Sequence, residues 1–443
     1  MSARLIRVFK TLLPAPFTIA VVLTLVTFVL AYSLSPNQET PLSLLSYWEK
    51  GLWNSPLLVF AVQMMLMLVL GHVLALTTTI SNWIDKATQF CNNTAQAAAW
   101  VALLTLLVSF FNWGLGLVFG AIFARKVGEH ATKNNIPLNY PLIGAAGYSG
   151  LMVWHGGISG SAPIKIAEKG HFLEEQIGVI SQSETIFSSM NITISLALLI
   201  VLPFLMYVLG KKGQSKAINI VSAPIEDEKV EIEGAERLDH SNILAYLFGG
   251  LIVLYCLYKA LILPQELSLS FITPNFINLF LLGLGILLHR NFNHFLKGIN
   301  QAIGGASGIL IQFPLYFGIM GIMNSSGLVG VFSDFFVSIS NTTTFPIFAF
   351  ISAGIVNVFV PSGGGQWGVQ GPIIVEAASQ LNVPYWKAVM ALAYGDQLTN
   401  MLQPFWALPL LGITGLKAKE ILPYSLLLLL AGGSIFVIGL LLF

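Results

Sequence analysis

The sequence predicts an all-α polytopic membrane protein made of two repeats of opposite sense, with about nine full spans, two re-entrant hairpins and broken helices. Three observations lead there. Of the 443 residues, 55% are hydrophobic and only 9% charged, against roughly 25% charged in a soluble domain. Apolar runs of membrane-crossing length recur along the whole chain and raise its mean hydropathy to +0.78. Two of the runs are interrupted by glycine, proline and amide residues between Asn357 and Pro409. Backbone that leaves helical geometry inside a bilayer must find partners in protein or in a water-filled cavity. Paired breaks of this kind mark the binding site of a transporter.

Taken in order, the expected spans are 17–34, 53–78, 141–160, 186–209, 242–262, 272–289, 303–325, 385–412 and 421–443. Each is long enough to cross about 30 Å of hydrocarbon. Stretches 97–130 and 343–380 are too long for one span, and each has a polar, glycine-rich middle: Asn112 to Gly116 in the first, Pro361 to Gln366 in the second. Both read as hairpins that enter and leave on the same side. Spans 141–160 and 385–412 read as broken helices. Arg4, Arg7 and Lys10 before an apolar run imitate a signal peptide. The run is long, though, and no small-residue cleavage site follows it, so it is expected to stay as the first span.

Charge orients this arrangement. With the N-terminus in the cytoplasm, the inside segments hold sixteen of the Lys and Arg residues and the outside segments five: Lys50, Lys165, Lys169, Lys259 and Lys387. That asymmetry follows the positive-inside rule and requires each hairpin to return to its starting side. The first then opens from the cytoplasm and the second from outside, with the C-terminus outside. Residues 210–240, with the acidic run Glu226-Asp227-Glu228, read as a solvated cytoplasmic linker between repeats 1–209 and 241–443. When the chain is slid on itself by 246 positions, Ala145, Tyr148 and Pro163 fall on Ala391, Tyr394 and Pro409. The order span, hairpin, broken span, span occurs twice.

The hairpin tips and broken spans are expected to converge near the midplane. The first half would contribute Asn112, Gly114, Ser159 and Ser161 to a substrate site, with Ser149 and His155 nearby. The second half would contribute Asn357, Ser362, Gly363, Gly364, Gly365, Gln366, Asn400 and Gln403. Glycines allow close approach of backbone N–H groups, and half-helix N-termini carry partial positive charge suited to a carboxylate. No Lys or Arg lies within the breaks, which favours a monoanion. Asp396, with Thr399 beside it, is the expected ion-coupling group, because an ionisable residue within a span is a functional candidate by default. Close helix packing is the competing role for the Gly-Ser runs, and structural hydrogen bonding is the competing role for Asp396 and His155. Trp113, Trp154, Trp367 and Trp406 stand beside the breaks. No HExxH or Cys/His metal spacing occurs, Cys91 and Cys256 are too few for a disulfide framework, and no cofactor or nucleic-acid partner is expected. The run Gly157-Ile158-Ser159-Gly160 matches the short pattern around the serine of intramembrane proteases. The histidines that could serve as its base lie mostly near span ends, so an enzyme is not expected. A channel would need a filter that is not evident.

At FNWGLGLVFGAIFAR (111–125), GGISGSAP (156–163), VPSGGGQWGVQGP (360–372) and AYGDQLTNMLQPFWALP (393–409) the sequence resembles the bacterial short-chain fatty acid transporter family. The likeness runs from Pro14 to Phe443. It implies uptake of a short-chain monocarboxylate such as acetate, butyrate or acetoacetate across the cytoplasmic membrane, coupled to H⁺ or Na⁺. It also implies the inverted-repeat fold of the ion-transporter superfamily, and a homodimer is compatible with it. Asn112, Ser362, Gln366, Asp396, Asn400 and Gln403 are the positions it carries over for binding. Gln366 and Asp396 depart from the His and Glu common there. The Ser-Asn-Thr tips of the superfamily's dicarboxylate members are absent, so their Na⁺ sites are not transferred.

Overall fold

A computed structural model describes residues 16–37, 39–220, 234–263, 269, 271–360 and 362–443. The acidic run expected in the linker, the basic residues at 4, 7 and 10, and Pro361 lie outside the described residues. Among those described, the chain is helical, apart from turns, irregular segments and one antiparallel bridge between Leu138 and Lys216. Seven stretches are long and apolar enough to cross a membrane: Phe17–Leu34, Ser55–Ala75, Thr94–Phe111, Ser189–Lys212, Asn242–Leu261, Phe292–Ser325 and Ala418–Leu442. The chain is a multi-pass membrane protein.

The first half runs α1 (Pro16–Leu34), α2 (Pro41–Leu52), α3 (Ser55–Ala75), α4 (Thr78–Thr88), α5 (Thr94–Phe111), α6 (Trp113–Lys133), α7 (Tyr140–Tyr148), a 3₁₀ turn (Ser149–Met152), α8 (Ser161–Lys165), α9 (Glu174–Ile177) and α10 (Ser189–Lys212). The second runs α11 (Asn242–Leu261), α12 (Pro274–His289), α13 (Phe292–Ala302), α14 (Ser307–Ser325), α15 (Leu328–Ile339), α16 (Phe345–Phe359), α17 (Gly363–Gln380), α18 (Tyr385–Thr399), a 3₁₀ turn (Asn400–Leu402), α19 (Pro404–Thr414) and α20 (Ala418–Leu442). From α12 onward the order of elements follows that of α1 to α10, with the short α9 unmatched and α11 an extra helix at the start of the second half. The short helices α2, α4, α13 and α15 do not appear among the sequence expectations. They are too short to cross a membrane, and windows tuned to span length pass over them.

Contacts between elements are reciprocal. Helix α1 lies on α14 as α12 lies on α3, α2 lies on α14 as α13 lies on α3, and α6 meets α19 as α17 meets α8. Each polar, glycine-rich middle separates two helices, α5 from α6 and α16 from α17. Asn112 has extended backbone; its side chain accepts the Leu115 N–H at 2.7 Å, so one residue ends α5 and caps α6. Their arms run antiparallel, with Gly116 against Ser109 and Gly120 against Thr105. In the second hairpin Ser362 caps α17 by accepting the Gly365 N–H at 3.2 Å. Gln366 and Gln370 then reach back across the arms to Ala353 and Ser352. Small residues set the spacing of the first hairpin against the broken helix behind it. A Cβ on Gly147 would lie 3.0 Å from the Gly120 carbonyl carbon, so backbone meets backbone there.

Candidate functional site

The site is built on Asn357, two residues before the end of α16 and fully buried. Its Nδ2 donates to the Asp396 carbonyl at 2.7 Å, to Thr399 Oγ1 at 2.9 Å and to Asn400 Oδ1 at 2.9 Å. Its own carbonyl accepts a hydrogen bond from Gln403 Nε2. Asn357 thus ties the second hairpin to the broken end of α18, where helical backbone gives way at Asn400. The bond to a backbone carbonyl fixes the orientation of its amide and leaves Oδ1 buried without a donor among the described residues. Asp396, Thr399, Asn400 and Gln403 therefore come together with Asn357 in one polar network.

Asp396 faces the other break. Its Oδ2 lies 2.7 Å from His155 Nδ1, and neither side chain has any exposure. His155 Nε2 accepts the Ala162 N–H at 3.1 Å, while the His155 backbone N–H donates to Gln397 Oε1 at 2.9 Å. Because Nε2 is an acceptor, the ring proton sits on Nδ1 and points at the carboxylate. The imidazole stacks on Trp154 with centroids 4.5 Å apart, and Trp154 and Trp406 each lie 5.6 Å from Trp113. Three donors in this first-half cluster, Asn112 Nδ2, Trp113 Nε1 and Trp154 Nε1, are buried without an acceptor among the described residues. Buried polar groups are rarely left so, and a group of neutral donors suits a small carboxylate.

The remaining sequence candidates have structural partners. Ser159 Oγ accepts the Trp113 N–H at 2.9 Å, pinning the first break to the hairpin tip, and Ser161 Oγ points at Met64 Sδ 3.4 Å away. Gly114 lies against α3: a Cβ there would sit 2.9 Å from Leu68 Cα. Ser362 caps its helix. Gly364 and Gly365 lie under Phe313 and Tyr316, and only Gly363 of the three lies beside His155 and Asp396. Gln366 stays inside the hairpin, donating to Ala353 O and Gln370 Oε1, both at 2.9 Å.

Three features escape sequence reasoning. Gln397 holds both the His155 and Gly156 N–H groups; its place beside Asp396 is its only signal. Tyr148 OH donates to Asn400 O at 2.7 Å and Gln403 O at 3.1 Å, while Tyr394 OH donates to Asn191 Oδ1 at 2.9 Å. Asn191 in turn holds Gly156 O at 2.8 Å, so each tyrosine braces the break of the opposite half. The match of Tyr148 with Tyr394 in the internal alignment is the trace of this. Third, Lys165 is not a loop charge but is buried. It pairs with Glu168 at 2.6 Å, bonds Gln63 Oε1 at 3.2 Å and stands 5.6 Å over the Phe60 ring. Gln63 and Asn275 also donate to Glu168.

Comparison with known proteins agrees with this architecture. The model of a family described as short chain fatty acid transporter matches residues 1–443. A protein of Escherichia coli K12 is 39% identical over 439 residues, covering 97% of this chain and 96% of its own. One from Haemophilus influenzae is 38% identical over 444 residues with the same coverage. Both are provisionally named short-chain fatty acid transporters. Among solved structures, the YdaH transporter of Alcanivorax borkumensis superposes with a TM-score of 0.62 at 15% identity, covering 96% of this chain and 98% of that one. MtrF of Neisseria gonorrhoeae, described among antimetabolite efflux pumps, gives 0.58 at 14% identity over 98% and 97%. At those identities the likeness is one of fold.

Proposed function

Since the chain belongs to the short chain fatty acid transporter family and is a membrane carrier rather than an enzyme, we propose that it moves short-chain monocarboxylates, of the size of acetate, butyrate and acetoacetate, across the cytoplasmic membrane by alternating access. The observation that carries this reading is the set of buried donors, Asn112 Nδ2, Trp113 Nε1 and Trp154 Nε1, that have no acceptor among the described residues. Donors attract a carboxylate. The unpartnered oxygens of Asn357 and Gln403 lie in the second-half network and repel an anion, so the substrate carboxylate belongs to the first-half cluster. Asn112 is its principal side-chain donor. The second-half network, with Asp396 and Thr399, serves coupling to H⁺ or Na⁺.

The repeated element order, the reciprocal contacts and the crossed tyrosines support two inverted repeats, 1–209 and 241–443, joined by the linker 210–240. On this reading both hairpins are re-entrant, the N-terminus is cytoplasmic and the C-terminus outside. Counterflow in proteoliposomes tests the substrate. Vesicles loaded with unlabelled butyrate should take up labelled butyrate at rates above those of protein-free vesicles. Absence of exchange with all three acids would reject the substrate class.

A further inference from the structure

We propose that Asp396 carries one coupling proton on Oδ1, with His155 as the positioning residue that holds the carboxylate, and that the site takes H⁺ rather than Na⁺. This rests on the carrier reading above and names its coupling ion.

Asp396 is enclosed, and among the described residues His155 is its one charged or titratable neighbour. Helix α16 has no titratable residue, Glu376 of α17 bonds Gln380 at the far end of that helix, and Lys165 of α8 is paired with Glu168. Lys419, Glu420 and Tyr424 of α20 lie at its start, and Tyr394 is held by Asn191. A lone carboxylate within a bilayer calls for a cation. Three features select the proton. Oδ2 already receives the His155 Nδ1–H at 2.7 Å. Nε2 is occupied by the Ala162 N–H, and Oδ1 has no partner among the described residues, so an arriving proton bonds Oδ1. The oxygens that could complete a Na⁺ shell, Asp396 O, Thr399 Oγ1 and Asn400 Oδ1, are already gathered 2.7–2.9 Å from Asn357 Nδ2. That amide group sits where the ion would sit. A proton needs a single lone pair.

The geometry also links the proton to movement. Gly363, the first residue of α17, lies against the pair, and a Cβ there would sit 2.8 Å from His155 Cε1 and 3.2 Å from Asp396 Oδ2. An ionised Asp396 attracts the positive N-terminal end of α17, and protonation cancels that attraction. Proton arrival thus loosens the hairpin tip, and proton loss docks it again. No other bond is made or broken in the step.

Infrared difference spectroscopy of the purified full chain, titrated with acid in lipid, tests this without any transport. One component of the protonated-carboxyl carbonyl stretch, that of a carboxyl shielded from water, should be present in the wild type and missing from Asp396→Asn, while Asp334→Asn, at an exposed carboxyl, keeps it. In His155→Asn the midpoint of that band should move by about one to two pH units, the worth of one hydrogen bond to a charged group. Binding of ²²Na⁺ to the same preparations should be absent. A band that survives in Asp396→Asn, an unmoved midpoint in His155→Asn, or ²²Na⁺ capture that Asp396→Asn abolishes would each overturn the proposal. Failure of butyrate counterflow alone would reject the substrate and leave these readouts standing.

Discussion

Asn357 offers the sharpest test of how the second half is held together. Its amide nitrogen has two hydrogens shared among three acceptors at 2.7–2.9 Å. Replacing it by Ala removes about two net hydrogen bonds, worth roughly 1–3 kcal/mol together, and strands buried acceptors at a further cost of about 1–3 kcal/mol. The expected loss is therefore about 2–6 kcal/mol, with a cavity contribution in addition. Asn357→Asp separates volume from hydrogen bonding. It keeps the shape but puts an oxygen where Nδ2 stood, against the Asp396 carbonyl and the Asn400 side-chain oxygen. We expect Asn357→Asp to be at least as damaging as Asn357→Ala. Apparent melting temperatures in detergent, followed by tryptophan fluorescence, should fall by roughly 2–6 °C for both, on a scale of about 1 °C per kcal/mol for a chain of this length. An Asn357→Asp protein that melts with the wild type would refute the donor network.

Four further outcomes are expected. Gly120→Ala should cost about 1–3 kcal/mol, because the added methyl meets the Gly147 carbonyl group and Thr105 Cγ2 at 2.8 Å; its melting temperature in detergent measures this. Tyr148→Phe and Tyr394→Phe should each lose about 1 kcal/mol of stability and slow counterflow, since each hydroxyl braces the opposite break; wild-type exchange in the double variant would remove that role. Lys165→Gln alone should destabilise by roughly 3–5 kcal/mol by stranding Glu168, and Glu168→Gln added to it should recover much of the loss, as a thermal double-mutant cycle would show. His171, in the non-helical segment after α8, accepts the Leu173 N–H and bonds Gly178 O, and burial holds its imidazole below the ordinary value. The unfolded chain therefore binds the extra proton first, so the stability from His171 is full above about pH 6.5 and declines as pH falls below it. His171→Gln should flatten that decline in a melting series across pH.

The sequence already holds the membrane class and the points where its long apolar stretches break, because these depend on hydropathy and on glycine, proline and amide residues that interrupt it. It also indicates Asn357, Asp396, Asn400 and Gln403, which the fold gathers into one network. It is silent on whether a polar residue serves a ligand or the protein. Ser362 and Asn112 look alike as tip residues, yet Ser362 is a cap, whereas Asn112 is a cap with a buried amide donor to spare. Gly114 and Gly364 are placed against side chains and backbone from distant helices, a fact no local pattern carries. His155 is visible in the break, but its role comes from Asp396, 241 residues away along the chain.

Charge bears on the cargo differently once the fold is known. The absence of Lys and Arg from the breaks favours a monoanion, yet Lys165 lies buried nearby, over Phe60, whose ring in turn lies beside Gly364. A free ammonium group there would suit a second carboxylate. Glu168 takes that charge at 2.6 Å, and Gln63 takes another of its hydrogens. To receive a dianion the protein would have to break a buried ion pair, leaving Glu168 uncompensated, and such a loss exceeds what one new contact returns. The same pair joins α8 to Gln63 of α3 and Asn275 of α12. Lys165 therefore belongs to the seam between the broken helix and the surrounding helices. The proposed preference for a single negative charge then rests on neutral donors at Asn112, Trp113 and Trp154 and on a nearby cation already matched.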